Sequence, residues 1–463
     1  MLKILHNITA RLNKSKRIES LCVWSQEDPG GMAKTAWFLH RFFAIRRMVP
    51  GRKGFLLIFT GAIGDLISLT PAIRALKRRH PKSPIGLIVK GSATGCVLEY
   101  CPYLSQIAEF HVYENTRFKW WELIKTLHRI IWRRRYSTAI LTMGTGWVPQ
   151  HRIWGLLLLY ASGAKRRIAF SDEITGWKPV PPGKNTGWKP MLLFKSSQHV
   201  AGWKPVLHKH LGLTRQSSTS ILLVNQIPLA NEIMEASRIQ RTERFMELFE
   251  KAGLIPEGEE RSTKFWNGEK DFREAAKFLE CFAYREDGRP VVFVFPGVGS
   301  GPGKRWPEGR YIKVVNYLIE QHNARVFLDG MERDTDLCKT IALFAGDSCM
   351  NLAGQHSVGA LCVLIQVADL VIASDSGPIH IAGAAQTPAV AIFGPTDPKV
   401  WAPTDPCITV LRKSDCPPCN NSFFCKERSD FACTEEVQVE DVIEACERIL
   451  RDVEVCGAVA AGY

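Results

Sequence analysis

The chain has 463 residues, of which 46% are hydrophobic and 23% are charged, as is ordinary for a globular protein. Its length favours two domains with additional segments. No uninterrupted apolar stretch reaches the roughly 18 residues of a membrane-spanning helix, and no secretory signal is evident, so we expect a cytoplasmic protein. The net charge of +14 predicts an anionic partner, which nucleic acid, an anionic membrane face or a phosphorylated substrate would each satisfy.

Residues 1–53 form a basic N-terminal extension with an aromatic stretch around Trp37 and Phe38. Such a composition suits a segment that faces a membrane surface or an acceptor. A loosely packed, solvated leader explains it equally well.

Residues 54–90 read as one β-α-β unit, which implies a parallel sheet. The continuous apolar run Phe55–Phe59 predicts a buried strand, helical spacing predicts a helix over Leu66–Arg79, and Pro84–Val89 is the next strand. The glycine-bearing turn at 60–65 ends in Asp65. Ligands of such sheets bind at the carboxyl ends of strands, so Asp65 would face a ligand; a role as a helix N-cap is the alternative.

Further α/β sequence over 54–255 completes a predicted N-terminal domain with two unusual segments. Residues 117–135 are basic and rich in tryptophan, which suits either a membrane interface or a surface helix with a tryptophan-lined core face. Gly-Trp-Lys-Pro recurs at irregular spacing within about 174–206. A solenoid needs a regular period, so we interpret this region as an inserted loop.

A polar stretch at 256–271 predicts an interdomain linker, and a second α/β domain follows over 272–463. Its predicted strands are Pro290–Phe295, Ala324–Leu328, Leu370–Ala373 and Ala389–Phe393. Its predicted helices are Gly309–Gln321, Val358–Ala368, Gly377–Ala385 and Val437–Val455. We therefore expect an α/β fold with two Rossmann-like domains facing each other across a cleft.

A glycine-rich loop at 297–307 follows the first strand of that second domain. Its four glycines let the backbone approach a ligand, and amides of such a loop can cradle phosphate. Lys304 adds a mobile positive charge. The loop lacks the Gly-Lys-Ser/Thr ending of the P-loop, and a flexible surface loop is the alternative.

A strand end runs into a helix at 373–380. Ser376 is the predicted helix cap and Pro378 fits the first turn. Unpaired amides at such a helix start bind anions. Asp375 would lie against Lys304 or a ligand hydroxyl, and His380 would face the cleft unless it is a structural histidine.

With a Gly-Pro turn at 394–398 after the next strand, these motifs resemble the lipopolysaccharide heptosyltransferase family, glycosyltransferase family 9. The similarity runs from about Gly54 to about Val455, without the N-terminal extension and the Gly-Trp-Lys-Pro insertion, and is carried by 60–65, 297–307, 373–380 and 394–398. The resemblance implies the GT-B architecture, inversion at the sugar carbon and ADP-heptose as the usual donor.

The resemblance also implies roles for individual residues. Asp65 matches the family's proposed catalytic base, with Gly61 and Gly64 in the same acceptor-side motif, and Lys304 matches the lysine that contacts the donor diphosphate. The other implied donor-binding residues are Ser300, Glu332, Asp375, Ser376, Gly377 and His380. Asp65 would take a proton from the acceptor hydroxyl while Lys304 and helix amides stabilise the departing diphosphate.

The four clustered cysteines match the ligand count of a structural zinc site; they are Cys416, Cys419, Cys425 and Cys433. Free thiols or a redox-labile pair explain them as well. No Asp-x-Asp metal motif lies near the other motifs, so we expect no cofactor in catalysis.

The leading hypothesis is an inverting glycosyltransferase that moves heptose or a related sugar from a nucleotide sugar, in the first place ADP-heptose, to a lipid-linked anionic glycan such as a lipopolysaccharide core. It would work in the cytoplasm, in peripheral contact with the inner membrane. The alternatives are a non-catalytic nucleotide-sugar-binding or scaffold protein of the same fold and a sugar-nucleotide epimerase. Nucleic-acid binding would explain the charge but none of the motifs.

Overall fold

The computed structural model describes residues 54–91, 95–110, 136–142, 155, 158–159, 162, 164–172, 232–236, 239–281, 288–299, 301–423, 425 and 431–460. The extension at 1–53, the basic segment at 117–135 and the insertion at about 174–206 lie outside these residues. Within the described part, no helix combines the length and the apolar character needed to cross a membrane.

The chain divides into two compact units, and each contains one six-stranded sheet. The described residues of the first unit fall within Met1–Gly61, His80–Ser92 and Leu104–Ala236. Those of the second unit fall within Ala62–Arg79, Ala93–Tyr103 and Ser237–Tyr463.

The sheet of the first unit is parallel and has the strand order β3-β2-β1-β4-β5-β6. Its strands are β1 Phe55–Phe59, β2 Ile85–Lys90, β3 Gln106–Phe110, β4 Thr138–Leu141, β5 Arg166–Asp172 and β6 Glu232–Ala236. The central strands β1 and β4 are buried along their whole length, as their apolar sequences require. The strand order reverses between them, so the turn that follows β1 starts at a topological switch point.

The sheet of the second unit is also parallel, in the order β12-β11-β10-β7-β8-β9. Its strands are β7 Val291–Phe295, β8 Arg325–Leu328, β9 Cys349–Asn351, β10 Leu370–Ser374, β11 Ala389–Ile392 and β12 Ile408–Leu411. Here the order reverses between β7 and β10, where Val292 is paired with Leu370. The loops after these two strands therefore flank the place where ligands of doubly wound sheets bind.

The second unit also contains the following helices among the described residues. They are α1 Ile63–Ser68, α2 Thr70–Arg79, α3 Arg241–Lys251, α4 Glu269–Cys281, α5 Glu308–His322, α6 Thr335–Ala345, α7 Val358–Gln366, α8 Gly377–Ala385, α9 Pro398–Trp401, α10 Ala432–Glu435 and α11 Val439–Ala460. Short 3₁₀ turns cover Pro302–Lys304 and Glu332–Asp334.

The single helix predicted over Leu66–Arg79 is wrong, because the structure contains α1 and α2 instead. Pro71 lacks the amide that would continue the hydrogen bonds of α1. The hydroxyl of Thr70 donates to the carbonyl of Ile67 at 2.7 Å and helps to close the first helix.

The segment at 256–271, predicted as an interdomain linker, lies within the second unit and is anchored to α2. The buried Arg74 donates to the carbonyl of Glu260 at 3.1 Å and to the hydroxyl of Ser262 at 3.2 Å. Lys264 donates its amide to Thr70 Oγ1 at 3.0 Å. These contacts hold α1 and α2 in the second unit, although β1 precedes them in the first.

Candidate active site

The glycine-rich loop after β7 is packed against a later part of the chain. Gly301 has a φ of +78°, a region that favours glycine, and a Cβ atom there would lie 2.8 Å from the carbonyl oxygen of Ser422. The amide of Gly303 donates to that same carbonyl at 2.9 Å, and the carbonyl of Gly303 accepts from Thr434 at 2.6 Å. The end of the loop is therefore fixed just before Lys304.

Lys304 and Asp375 form a largely buried ion pair across the switch point of the second sheet. Lys304 Nζ lies 2.7 Å from Asp375 Oδ2, and the carboxylate is only 6% exposed. The hydroxyl of Thr396 donates to the same oxygen at 2.8 Å. Loops after β7, β10 and β11 thus meet at one carboxylate, and the contact predicted between Lys304 and Asp375 is confirmed.

An aromatic pair joins this site to the core. Trp306 and Tyr311 are fully buried and pack edge to face with their ring centroids 4.9 Å apart. The hydroxyl of Tyr311 forms a 3.1 Å hydrogen bond with Ser374, the last residue of β10. Burial raises the pKa of Tyr311, so the hydroxyl keeps its proton at neutral pH. The strand end that carries Asp375 is consequently well supported.

Helix α8 begins directly after this strand end. Ser376 occupies the N-cap position, followed by Gly377 and Pro378 in the first turn. The predicted position of Ser376 as the helix cap is confirmed, but its hydroxyl donates to the carbonyl of Ser374 at 3.0 Å and makes no capping bond within the described residues. The first amides of α8 can therefore serve an anionic group.

His380 lies on α8 against Gly64 of α1. A Cβ atom on Gly64 would lie 2.8 Å from Cγ and 2.9 Å from Nε2 of the imidazole, so only glycine fits this close approach. Burial lowers the pKa of His380 although the carboxylates of Asp375 and Asp65 raise it. The ring is therefore neutral at neutral pH.

Asp65 is the third residue of α1, and Ala62 rather than Asp65 is the N-cap. Asp65 Oδ2 accepts from the amide of Ala62 at 3.3 Å. The other oxygen, Oδ1, lies 2.9 Å from Nε of Arg241. The side chain is 15% exposed, so the carboxylate is held but still accessible. Gly61 immediately precedes the N-cap Ala62 and ends the first segment of the first unit.

Arg241 is the first residue of α3 and is only 2% exposed. It was not among the residues predicted for the site. Its guanidinium carbon lies 4.2 Å from the ring centroid of Trp401. The preceding residue, Gln240, caps α3 with its side-chain oxygen and donates its amide to the carbonyl of Ala402 at 3.0 Å. No local pattern links α3 to Asp65, so the sequence carried no signal for this pair.

Glu332 lies in the turn after β8 and is exposed. The next residue, Arg333, donates to the carbonyls of Val298 and Gly299 at 3.0 and 2.8 Å, and so attaches the glycine-rich loop to this turn. Ser300 lies outside the described residues.

A buried histidine and a buried aspartate form a pair next to that turn, since Asp329 directly follows β8. His356 Nε2 and Asp329 Oδ2 are 2.8 Å apart, with side-chain exposures of 4% and 1%. Burial by itself lowers the pKa of His356, but the hydrogen bond and charge of Asp329 outweigh it, so the pKa is raised.

The four clustered cysteines, Cys416, Cys419, Cys425 and Cys433, are all free thiols. Within the described residues, no three His, Cys, Asp or Glu side chains are grouped so that they could hold a metal ion. The predicted zinc site is therefore not supported.

Comparison with known proteins agrees with this architecture. The sequence pattern of glycosyltransferase family 9 (heptosyltransferase) matches residues 192–426. Lipooligosaccharide heptosyltransferase 2 of Haemophilus ducreyi is 24% identical over 370 residues, which cover 78% of this chain and 88% of the relative. Lipopolysaccharide heptosyltransferase 2 of Escherichia coli is 31% identical over 128 residues, which cover 27% of this chain and 36% of the relative.

Solved structures share the fold at low sequence identity. A family 9 glycosyltransferase from Veillonella parvula superimposes with a TM-score of 0.65 at 18% identity, covering 88% of this chain and 99% of the other. E. coli ADP-heptose lps heptosyltransferase II superimposes with a TM-score of 0.59 at 17% identity, covering 87% and 99%.

Two parallel α/β units, with a lysine, a carboxylate and a helix N-terminus at one switch point, define a glycosyltransferase of the GT-B class. The matched pattern covers just over half of the sequence and identifies the family within that class. The chain belongs to glycosyltransferase family 9, the heptosyltransferase family.

Proposed function

We propose that this enzyme transfers heptose from ADP-heptose to a lipopolysaccharide-core acceptor with inversion at the sugar carbon. The observation that carries the proposal is the contact between Gly64 and His380, because it brings Asp65 beside α8, the helix that follows Asp375 and has Ser376 as its N-cap. The names of the relatives support the choice of sugar and acceptor.

In the proposed reaction, Asp65 accepts the proton of the acceptor hydroxyl as its oxygen attacks the anomeric carbon. A new carbon–oxygen bond forms while the bond to the diphosphate breaks, and the diphosphate leaves with the electron pair. Lys304 and the first amides of α8 stabilise the negative charge that develops there. Because these groups supply positive charge at the leaving group, the proposed reaction needs no cofactor.

The lipid-linked acceptor also leads us to propose peripheral contact with the cytoplasmic face of the inner membrane. The net charge of +14 supports this part of the proposal, since it favours an anionic surface. Co-sedimentation with phosphatidylglycerol vesicles tests it: contact of this kind weakens at high salt, and equal binding to neutral vesicles would contradict it.

The Asp65→Asn variant tests the base. It keeps the size of the side chain but cannot accept the proton, so we expect kcat to fall about 10²–10⁴-fold while the affinity for ADP-heptose stays within about twofold. Asp336→Asn is the matched control, because Asp336 also lies in the first turn of a helix but is exposed on α6.

The control should lose no more than about 0.3–1 kcal/mol of helix stability and should keep its kcat. Transfer by Asp65→Asn at the wild-type rate would remove the base assignment. Donor binding without any turnover in the wild type would favour the non-catalytic alternative. Conversion of the donor without an acceptor would favour the epimerase.

A further inference from the structure

The charged side chain of Arg241 is buried, with only 2% of its surface exposed. A guanidinium in such a place is costly unless a carboxylate pairs with it. Asp65 forms an ion pair with it, at 2.9 Å between Nε and Oδ1. The predicted base, Asp65, is thus directly paired with the buried cation of Arg241.

One further contact fixes the position of the guanidinium, and two hydrogen bonds hold the residues around it. It lies over the ring of Trp401, with 4.2 Å between the guanidinium carbon and the ring centroid. Trp401 is itself held by Asn420, whose side-chain oxygen accepts from the indole at 2.9 Å. The start of α3 is also bound to this region, since Gln240 donates to Ala402. Arg241 therefore has a defined orientation.

The residue that holds Trp401, Asn420, is also bonded to the turn beside Asp375, the carboxylate that pairs with Lys304. Asn420 also accepts from the amide of Asp397, at 3.1 Å, and its own amide donates to Pro395 at 2.8 Å. Between these two residues lies Thr396, which donates to Asp375. One turn thus supports both Arg241 and the carboxylate that pairs with Lys304.

The geometry of the ion pair leaves one carboxylate oxygen available. Nε of Arg241 pairs with Oδ1 of Asp65, whereas Oδ2 makes, within the part of the chain that the structure describes, only a long 3.3 Å hydrogen bond with the amide of Ala62. Each carboxylate oxygen has lone pairs for two partners. Oδ2 can therefore accept a proton while Oδ1 stays in the ion pair.

We propose that Arg241 is a positioning residue for sugar transfer, which holds Oδ1 of Asp65 so that Oδ2 faces the acceptor hydroxyl. The inference rests on the proposed role of Asp65 as the base. The proton passes from the acceptor to Oδ2, and Arg241 keeps its charge and touches no reacting atom.

The test combines Arg241→Gln, Arg241→Lys, Asp65→Asn and the Asp65→Asn/Arg241→Gln double variant. Each full-length protein is assayed with ADP-heptose and a lipopolysaccharide-core acceptor for kcat and for donor Kd. A base displaced by about 1 Å loses roughly 10²-fold in rate, so we expect that loss in kcat for Arg241→Gln with a donor Kd within about twofold. Arg241→Lys keeps the charge and should recover about tenfold.

The double variant shows whether Arg241 acts through Asp65. Residues that act as a unit are not additive, so the double variant should be no slower than Asp65→Asn alone. A further loss of the full factor seen for Arg241→Gln would overturn the proposal, as would a wild-type kcat for Arg241→Gln. If Arg241→Gln does not fold, Arg241→Lys decides instead, because wild-type kcat in that variant overturns positioning by the planar group.

Failure of the proposed function gives a different pattern. If Asp65→Asn retains wild-type kcat, Asp65 is not the base, whatever the Arg241 variants do. If Asp65→Asn is inactive but Arg241→Gln is fully active, the base assignment stands and only the positioning role is lost.

Discussion

Replacing Gly64 with alanine tests the close contact between α1 and α8. The added methyl group would lie 2.8 Å from Cγ of His380, closer than side-chain carbons pack in folded proteins. Overpacking of this kind costs about 1–3 kcal/mol, whereas alanine in place of glycine within a helix gains about 1 kcal/mol. We therefore expect a net loss of up to about 2 kcal/mol in the free energy of unfolding.

The control is the same substitution at Gly309 in α5, where a Cβ atom would meet nothing within 4 Å. Gly309→Ala should therefore gain up to about 1 kcal/mol from helix propensity. A difference of about 2 kcal/mol between the two variants corresponds to roughly 4–8 °C in Tm for a unit of this size. Thermal unfolding followed by circular dichroism measures this difference directly.

Activity should separate the two variants further. In Gly64→Ala either the imidazole of His380 or α1 with Asp65 must move, and a misplacement approaching 1 Å costs up to about 10²-fold in rate. We expect kcat to fall about 10–100-fold in Gly64→Ala and to stay unchanged in Gly309→Ala, as measured by ADP release. A Gly64→Ala variant that is stabilised as much as the control and keeps full turnover would refute the packing argument.

Two further predictions concern the donor and the buried histidine. ADP-heptose at about 100 times its Kd should stabilise the protein by about 2.7 kcal/mol in a thermal-shift assay, and Lys304→Ala should reduce this shift; a larger shift with UDP- or GDP-sugars would contradict the proposed donor. His356→Gln should cost about 3 kcal/mol at pH 6, because it leaves Asp329 buried without a charged partner. The raised pKa of His356 means that this contribution is complete below its unfolded pKa of about 6.5 and is lost as pH rises through the folded value. Denaturant unfolding at pH 6 and pH 9 should therefore show a smaller gap between wild type and variant at the higher pH, and an unchanged gap would disprove the linkage.

Local sequence signals predicted the elements that support the site. Helix α8 was predicted over the residues it occupies, Gly377–Ala385, because a small polar cap residue, Pro378 and an apolar face all agree there. Strand β7 differs from its prediction by one residue, since five consecutive buried apolar residues define it. Where propensity, pattern and caps coincide, the sequence is sufficient.

The errors came from competing local signals. Periodic apolar residues suggested one helix over Leu66–Arg79, but Pro71 interrupts the backbone hydrogen bonds. The hydroxyl of Ser376 could bond either to helix amides or to the carbonyl of Ser374, and sequence alone does not rank the two.

Apart from the contact between Lys304 and Asp375, the contacts that assemble the site could not be predicted, because they join distant segments. Arg241 pairs with Asp65, and Gly303 bonds to Ser422, across long stretches of intervening sequence. A single sequence records that a residue can form an ion pair, but not which residue comes to lie beside it.

The attachment of the Lys304 loop to Ser422 and Thr434 has a consequence for biosynthesis. Val437, whose carbonyl accepts from the indole of Trp306 at 2.9 Å, leaves the ribosome long after Lys304 does. A nascent chain that has completed β7 to β11 therefore still lacks Ser422 and Thr434, the partners that fix the end of the loop just before Lys304. Premature termination before these residues should yield a polypeptide with most of its second sheet but with an unanchored Lys304 loop, so translation must pass this late stretch before the proposed donor site can form.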